Sequence, residues 1–218
     1  MSICFCDIIM KAERVIAYID GFNLYFGLKE KGWRRYYWLN VKSLCQSLLK
    51  SPQHLVNVKY FTSRITSPPD KRKRQSTFLE VLNTIEGIEL YFGKYQVTPY
   101  ICEQCGHPND IPEEKMTDVQ IATELVSDAY QNKYDTAFII SADRDLVPSI
   151  EKIRSKPLDK RAVIVFPPMR TNDDLRGVAN AYIHITESEL KKSLLPPEIT
   201  KIGGYVLKCP IEWQGNPG

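Results

Sequence analysis

The chain has 218 residues, 43% of them hydrophobic and 25% charged, with a formal net charge of +3. That is the size and balance of one good-sized globular domain, and a charge so near neutral singles out no class of partner. Six cysteines over this length do not make a disulfide scaffold and point to a reducing, cytoplasmic setting, and no stretch approaches the length of a membrane span, so no membrane association is expected.

In chain order, residues 1–13 read as a leader. The first ten of them are apolar, but they lack the basic start of a signal peptide and Asp7 interrupts them. Val15-Ile-Ala-Tyr-Ile19 is the first strand, and a helix is expected from residue 23 to 30, ended by Gly32. Residues 33–38 form an aromatic and basic loop whose rings either stack on bases or pack beneath the loop. Asn40 is the N-cap of a helix running to about residue 50, with Val41, Leu44, Leu48 and Leu49 on its apolar face. A second strand is expected over 55–65, a turn at Ser67-Pro-Pro-Asp70, a helix over 71–85 ended by Gly87, and a third strand over 88–92.

Residues 102–112 read as a polar excursion, and 113–130 as the clearest helix, with Val119, Ala122, Leu125, Val126 and Ala129 at helical spacing. Ala137 to Ile140 is a short apolar run suited to a buried strand, followed by a short helix. Residues 161–166 form the last core strand, stopped by Pro167-Pro168, and residues 182–185 an edge strand. Strands alternating with helices predict an α/β fold, a three-layer α/β/α sandwich with a mainly parallel central sheet. The domain is expected over 14–190, with a cysteine-containing loop insertion at 100–112 and a loosely attached, Lys- and Pro-rich tail over 191–218.

Two strands end in acids. Asp20 follows the first strand, and Asp143 and Asp145 follow the strand at 137–140. In an open parallel sheet, ligands sit outside the carboxyl ends of the strands, so both places are where a site is expected. Each feature also has a plain structural role. Asp20-Gly is a common turn, Asp143, Asp145 and Asn23 are all plausible helix caps, and Glu113 and Glu114 complement a helix dipole. Asp118 fits the dipole account less well, because it is expected to lie inside the helix, beside the apolar boundary and on one face with Lys115. Acids crowded together stay ionised only if a cation shares their charge, and hard oxygen ligands in small number are the Mg²⁺ or Mn²⁺ pattern.

Three blocks taken together, Tyr18-Ile-Asp-Gly-Phe-Asn-Leu-Tyr25, Glu114-Lys-Met-Thr-Asp-Val119 and Ile140-Ser-Ala-Asp-Arg-Asp-Leu-Val-Pro148, resemble the signature blocks of the NYN-domain family of PIN-like nucleases, most closely its LabA-like branch. The family pattern more often has Gly where Ala142 stands and Ser where Arg144 stands. The resemblance implies a PIN-like fold and Mg²⁺- or Mn²⁺-dependent hydrolysis of RNA phosphodiesters. Asp20, Asp118, Asp143 and Asp145 would be the metal-binding, catalytic acids, Asn23 would orient a ligand or the scissile phosphate, and Lys115 would contact phosphate. Metal-bound water then serves as nucleophile, and His54, His107 and His184 lie outside all three blocks.

Lys71, Arg72, Lys73 and Arg74, joined by Arg64, are the candidate RNA-backbone site, against the alternative of a solvated helix start. Cys102-Glu-Gln-Cys105 resembles half of a zinc knuckle. A structural Zn²⁺ needs four ligands and a second such pair is missing, so two unpaired thiols in a loop weigh at least as heavily. RNA is the expected partner, a regulatory RNA-binding module with a vestigial site is the alternative, and the sequence leaves the oligomeric state open, a homodimer included.

Overall fold

A computed structural model of the chain describes residues 12–101 and 103–214. Its centre is strand β1 (Glu13–Asp20), whose side chains alternate between two apolar cores. Val15, Ala17 and Ile19 face one, and Ile16 and Tyr18 face the other. A strand buried on both faces needs helices on both sides, which is the condition a parallel sheet creates for itself.

The chain continues through α1 (Gly21–Glu30), α2 (Val41–Ser47), β2 (Gln53–Thr62), α3 (Pro69–Leu82) and β3 (Ile88–Phe92). A hairpin follows, β4 (Lys94–Ile101) and β5 (Pro108–Lys115), and then α4 (Thr117–Tyr130) and β6 (Thr136–Ile140). The second half comprises α5 (Val147–Arg154), β7 (Arg161–Phe166), α6 (Asp173–Val178), β8 (Ala181–His184), α7 (Glu187–Lys192) and a small pair, β9 (Glu198–Thr200) and β10 (Val206–Lys208). Short 3-10 turns lie at Arg34–Tyr36, Arg144–Leu146 and Ile211–Trp213.

The main sheet has the order β3-β2-β1-β6-β7-β8 with every neighbouring pair parallel. Leu24, Leu28, Leu44, Leu79 and Leu82 from α1, α2 and α3 cover one face. Ile121, Leu125, Ile150, Ile153 and Leu175 from α4, α5 and α6 cover the other. This is the expected three-layer α/β/α sandwich. The strand order reverses between β1 and β6, so the crevice at their carboxyl ends is the topological switch point where such sheets bind ligands. No helix among the described residues is long and apolar enough to cross a membrane.

Two expectations need correction. Residues 108–115 form a strand, not a polar excursion running into a helix that opens at Glu113. They pair antiparallel with β4, from Lys94 opposite Lys115 to Ile101 opposite Pro108. Pro112 is tolerated because both strands of a two-stranded ribbon are edges. Met116, in the left-handed region at φ 79°, then separates strand from helix. Asp118 is therefore in the first turn of α4, so the reason given for setting the dipole account aside at this residue does not hold.

The described part of the expected tail, residues 191–214, is also not loose. Leu195, Leu207 and Cys209 pack against Trp38 and Val81, Trp38 Nε1 donates to the Pro196 carbonyl (2.8 Å), and Lys201 pairs with Glu80 on α3 (2.7 Å). The leader expected before residue 14 falls outside the described residues through residue 11, and Glu13 already belongs to β1.

Candidate active site

β1 passes into α1 without a loop, and Asp20 is the hinge. It is buried, and its Oδ1 accepts from the backbone N–H of Asn23 (2.9 Å), which caps α1. Its Oδ2 accepts from the Ser141 hydroxyl (3.1 Å) at the end of the neighbouring β6. Gly21 is required here, because a Cβ would stand 2.6 Å from the Tyr60 ring and 2.8 Å from the Phe61 carbonyl. Asn23 is not a cap. Its Oδ1 accepts from the Ala142 N–H (3.2 Å), a second tie between α1 and the chain leaving β6.

Ser141 is the residue that sequence reasoning passed over. Its buried hydroxyl donates to Asp20 and accepts from the Asp143 N–H (3.0 Å), so it links two of the predicted acids. The signal was present, since a hydroxyl directly after the fully apolar strand Ala137-Phe-Ile-Ile140 must find partners inside the protein. Asp143 in turn caps the next turn, its Oδ1 accepting from the Asp145 N–H (2.9 Å). Asp145 is exposed and Asp143 half-buried.

Asp118 reaches the same place from α4. Burial raises the pKa of its carboxyl, and the negative charges of Asp143 and Asp145 raise it further, against a smaller lowering by a backbone hydrogen bond. The three acids thus lie within electrostatic reach of one another. None of them is ion-paired among the described residues. Arg144, between Asp143 and Asp145 in sequence, points instead to Asp174 on α6, with Nε 3.8 Å from Oδ2. Among the described residues no three acidic, imidazole or thiol groups stand close enough to form a ready-made metal cage.

Residues 14–188 match the NYN domain, most of the chain's length. The chain belongs to the NYN domain family. That family is PIN-like and nuclease-like. A relative from Pseudomonas putida (strain DSM 28022 / S16), 6-hydroxy-3-succinoylpyridine 3-monooxygenase, is 28% identical and aligns with 94% of this chain and 76% of its own length. A crystal structure of a protein of unknown function from Vibrio parahaemolyticus RIMD 2210633 superposes with a TM-score of 0.52 at 19% identity, over 84% of this chain and 97% of the other, a likeness of fold.

Within this NYN domain the predicted cationic residues fall into separate groups. Lys115 is exposed at the end of β5, next to the turn that starts α4. Arg64 is exposed just past β2, its guanidinium 4.4 Å from the centre of the Phe92 ring. Arg64 thus leaves the carboxyl edge of the main sheet, as Asp20 and the turn carrying Asp143 do, whereas Lys115 belongs to the separate β4–β5 ribbon. Lys71, Arg72 and Lys73 are exposed in the first turns of α3, whereas Arg74 is half-buried and pairs with Glu212 (2.7 Å). The rings of residues 33–38 mostly pack inward, with Tyr36, Tyr37 and Trp38 buried. Of the suggested zinc pair, Cys102 lies outside the described residues, and Cys105 is an exposed free thiol.

Proposed function

We propose that this NYN domain is a divalent-metal-dependent ribonuclease, and the observation that carries the proposal is that Asp118 lies within electrostatic reach of Asp143 and Asp145 at the switch point, short of a closed metal cage. Ionised carboxylates held together without a cationic side chain are unfavourable unless a bound cation shares their charge. The donors are hard carboxylate oxygens, and Asp20 already has both oxygens engaged by the protein. Such a set suits Mg²⁺ or Mn²⁺, which keep part of their water shell and need only one or two carboxylates. Asp20, Asp118, Asp143 and Asp145 would hold the ion, which when bound makes water a nucleophile near neutral pH and steadies charge on the phosphate.

The chain's own residues supply the rest. Ser141 and the α1 N-terminus fix the Asp20 carboxylate, so it needs no reorganisation when substrate arrives. Asn23 holds the backbone of Ala142 and with it the turn that carries Asp143. Lys115 and Arg64 would contact backbone phosphates of the RNA, with the exposed cations of α3 beyond them. No serine, cysteine or histidine nucleophile is called for. The relative from Pseudomonas putida is named for a different reaction, and at 28% identity its name does not set the chemistry here.

The test is cleavage of a labelled pool of single-stranded and hairpin RNA with Mn²⁺, Mg²⁺ or EDTA, wild type beside Asp143→Asn. Cutting is expected with either metal, absent in EDTA, and reduced about 100-fold or more in the variant. RNA retained on a filter without cutting under any metal would replace the nuclease by an RNA-binding module. Neither cutting nor retention would leave the family fold without this function.

A further inference from the structure

A cavity of about 520 Å³ lies on the face of the sheet that α1, α2 and α3 cover, the face away from α4, between α1, α3 and the two turns at Arg34–Tyr36 and Ile211–Trp213. Its size is that of a small-molecule site. It begins at Gly21, the residue after Asp20, and at Thr62, the last of β2, so it too lies at the carboxyl edge of the sheet. Its walls are rings from distant parts of the chain. Tyr25 and Tyr37 lie 4.9 Å apart between centroids, Tyr37 meets Trp213 edge-on at 5.6 Å, and Phe78 meets Trp213 edge-on at 6.2 Å. Trp213 comes from the C-terminal segment beyond the NYN match, so that segment completes the cavity.

The charged lining is one-sided. Lys29, Arg34, Lys71 and Arg74 face Glu212 as the only acid, and among the described residues only Arg74 of the four is ion-paired. The helical period explains which α3 cations take part. Residues 71, 74, 75 and 78 share one face and line the cavity, while Arg72 and Lys73 do not. The basic run is therefore split between this cavity and solvent. Arg34 lies close enough to Tyr37 to oppose the rise in that hydroxyl's pKa, which burial pushes up to about 12. The Tyr37 hydroxyl thus remains a neutral donor beside a guanidinium at physiological pH.

We propose that this cavity binds a planar aromatic ring bearing an anionic group. The ring lies among Tyr25, Tyr37, Phe78 and Trp213, and Arg34 and Lys71 hold the anion. Two sources carry that chemistry, a nucleotide of an RNA strand or a small free aromatic acid. The cavity shares no lining residue with the acidic cluster, so binding does not depend on cleavage.

The experiment is calorimetric titration of the full chain with uridine 5′-monophosphate, pyridine-3-carboxylate, uridine and inorganic phosphate, with tryptophan fluorescence followed in parallel. Wild type is compared with Arg34→Gln/Lys71→Gln, Trp213→Phe and Asp143→Asn. Saturable binding is expected for at least one ring-bearing anion, about tenfold tighter than for uridine or phosphate alone. It should weaken about tenfold in the Arg34→Gln/Lys71→Gln variant, lose most of its fluorescence change in Trp213→Phe, and persist in Asp143→Asn. Binding of the nucleotide alone identifies RNA as the source, and binding of the pyridine acid alone identifies a small metabolite. Absence of saturable binding by both up to millimolar concentration overturns the proposal, as does binding that the double variant, still folded by circular dichroism, leaves unchanged.

Discussion

In the later turns of α4, Asp128 is buried among Lys59, Lys133 and Tyr18, while in the first turn of the same helix Asp118 feels the charges of Asp143 and Asp145 and, among the described residues, has no cationic side chain paired to it. Lys59, itself buried on β2, also reaches Glu124 at 2.7 Å, one turn before Asp128. Burial pushes the two carboxyls the same way, upward. At Asp128 the hydrogen bonds from Lys59, Lys133 and Tyr18 outweigh it and the pKa falls. At Asp118 neighbouring acids add to it and the pKa rises. One helix thus carries a neutralised cluster that ties it to the sheet and, near the switch point, an acid whose charge its neighbours oppose. The contrast separates an acid that the protein neutralises from one that it does not, and both were plain carboxylates in the sequence.

The largest effect belongs to the neutralised cluster. Lys59→Met removes the cation from a buried pair and leaves Asp128 short of a partner, which should cost about 3–5 kcal/mol in urea unfolding. Adding Asp128→Asn removes the uncompensated charge and should recover part of that loss. If Lys59→Met unfolds with wild-type stability, the cluster is not what holds α4 in place, and the two ends of the helix are less different than their partners suggest.

Ser141→Ala is expected to act more mildly and on the other cluster. It strips a donor from buried Asp20 and an acceptor from the Asp143 N–H, a loss of about 1–3 kcal/mol. Metal-dependent cleavage should fall further than stability alone explains, because Asp20 and the turn carrying Asp143 lose their common anchor. Cleavage that merely tracks the folded fraction would reduce Ser141 to a packing residue.

The strand-end acids were legible because strand and turn are local. Apolar runs ending in Asp20 and Asp143 announce their own carboxyl ends, and the sheet order brings the two strands side by side. The β4–β5 hairpin was not legible. Its second arm contains Pro108 and Pro112 and has no apolar alternation, so Glu113 and Glu114 looked like a helix start. The aromatic cavity was out of reach for a different reason, since Tyr25, Tyr37, Phe78 and Trp213 meet only through tertiary packing. Lys59 and Asp128 are separated by 69 residues, and no periodicity in either segment marks them as a pair.

The smallest effect is the most telling about sign. A carboxyl whose pKa is raised by folding is costly when ionised, so Asp118 lowers stability at pH above its folded pKa and costs nothing once pH drops below its unfolded value, near 4. Asp118→Asn should therefore raise the Tm slightly at pH 7, and the gain should shrink toward zero as pH falls to about 3. The lowered pKa of Asp128 works in the opposite sense, its contribution being present above the unfolded value and lost on acidification. Thermal melts of wild type and Asp118→Asn from pH 3 to pH 8 would show the difference. Mn²⁺ adds the decisive contrast. If the crowding at Asp118 is kept for a cation, Mn²⁺ at pH 7 should raise the wild-type Tm more than that of Asp118→Asn. A variant that is less stable than wild type at pH 7, with an equal response to Mn²⁺, would mean that the helix dipole outweighs the neighbouring acids at this end of α4 and that Asp118 serves the fold as Asp128 does.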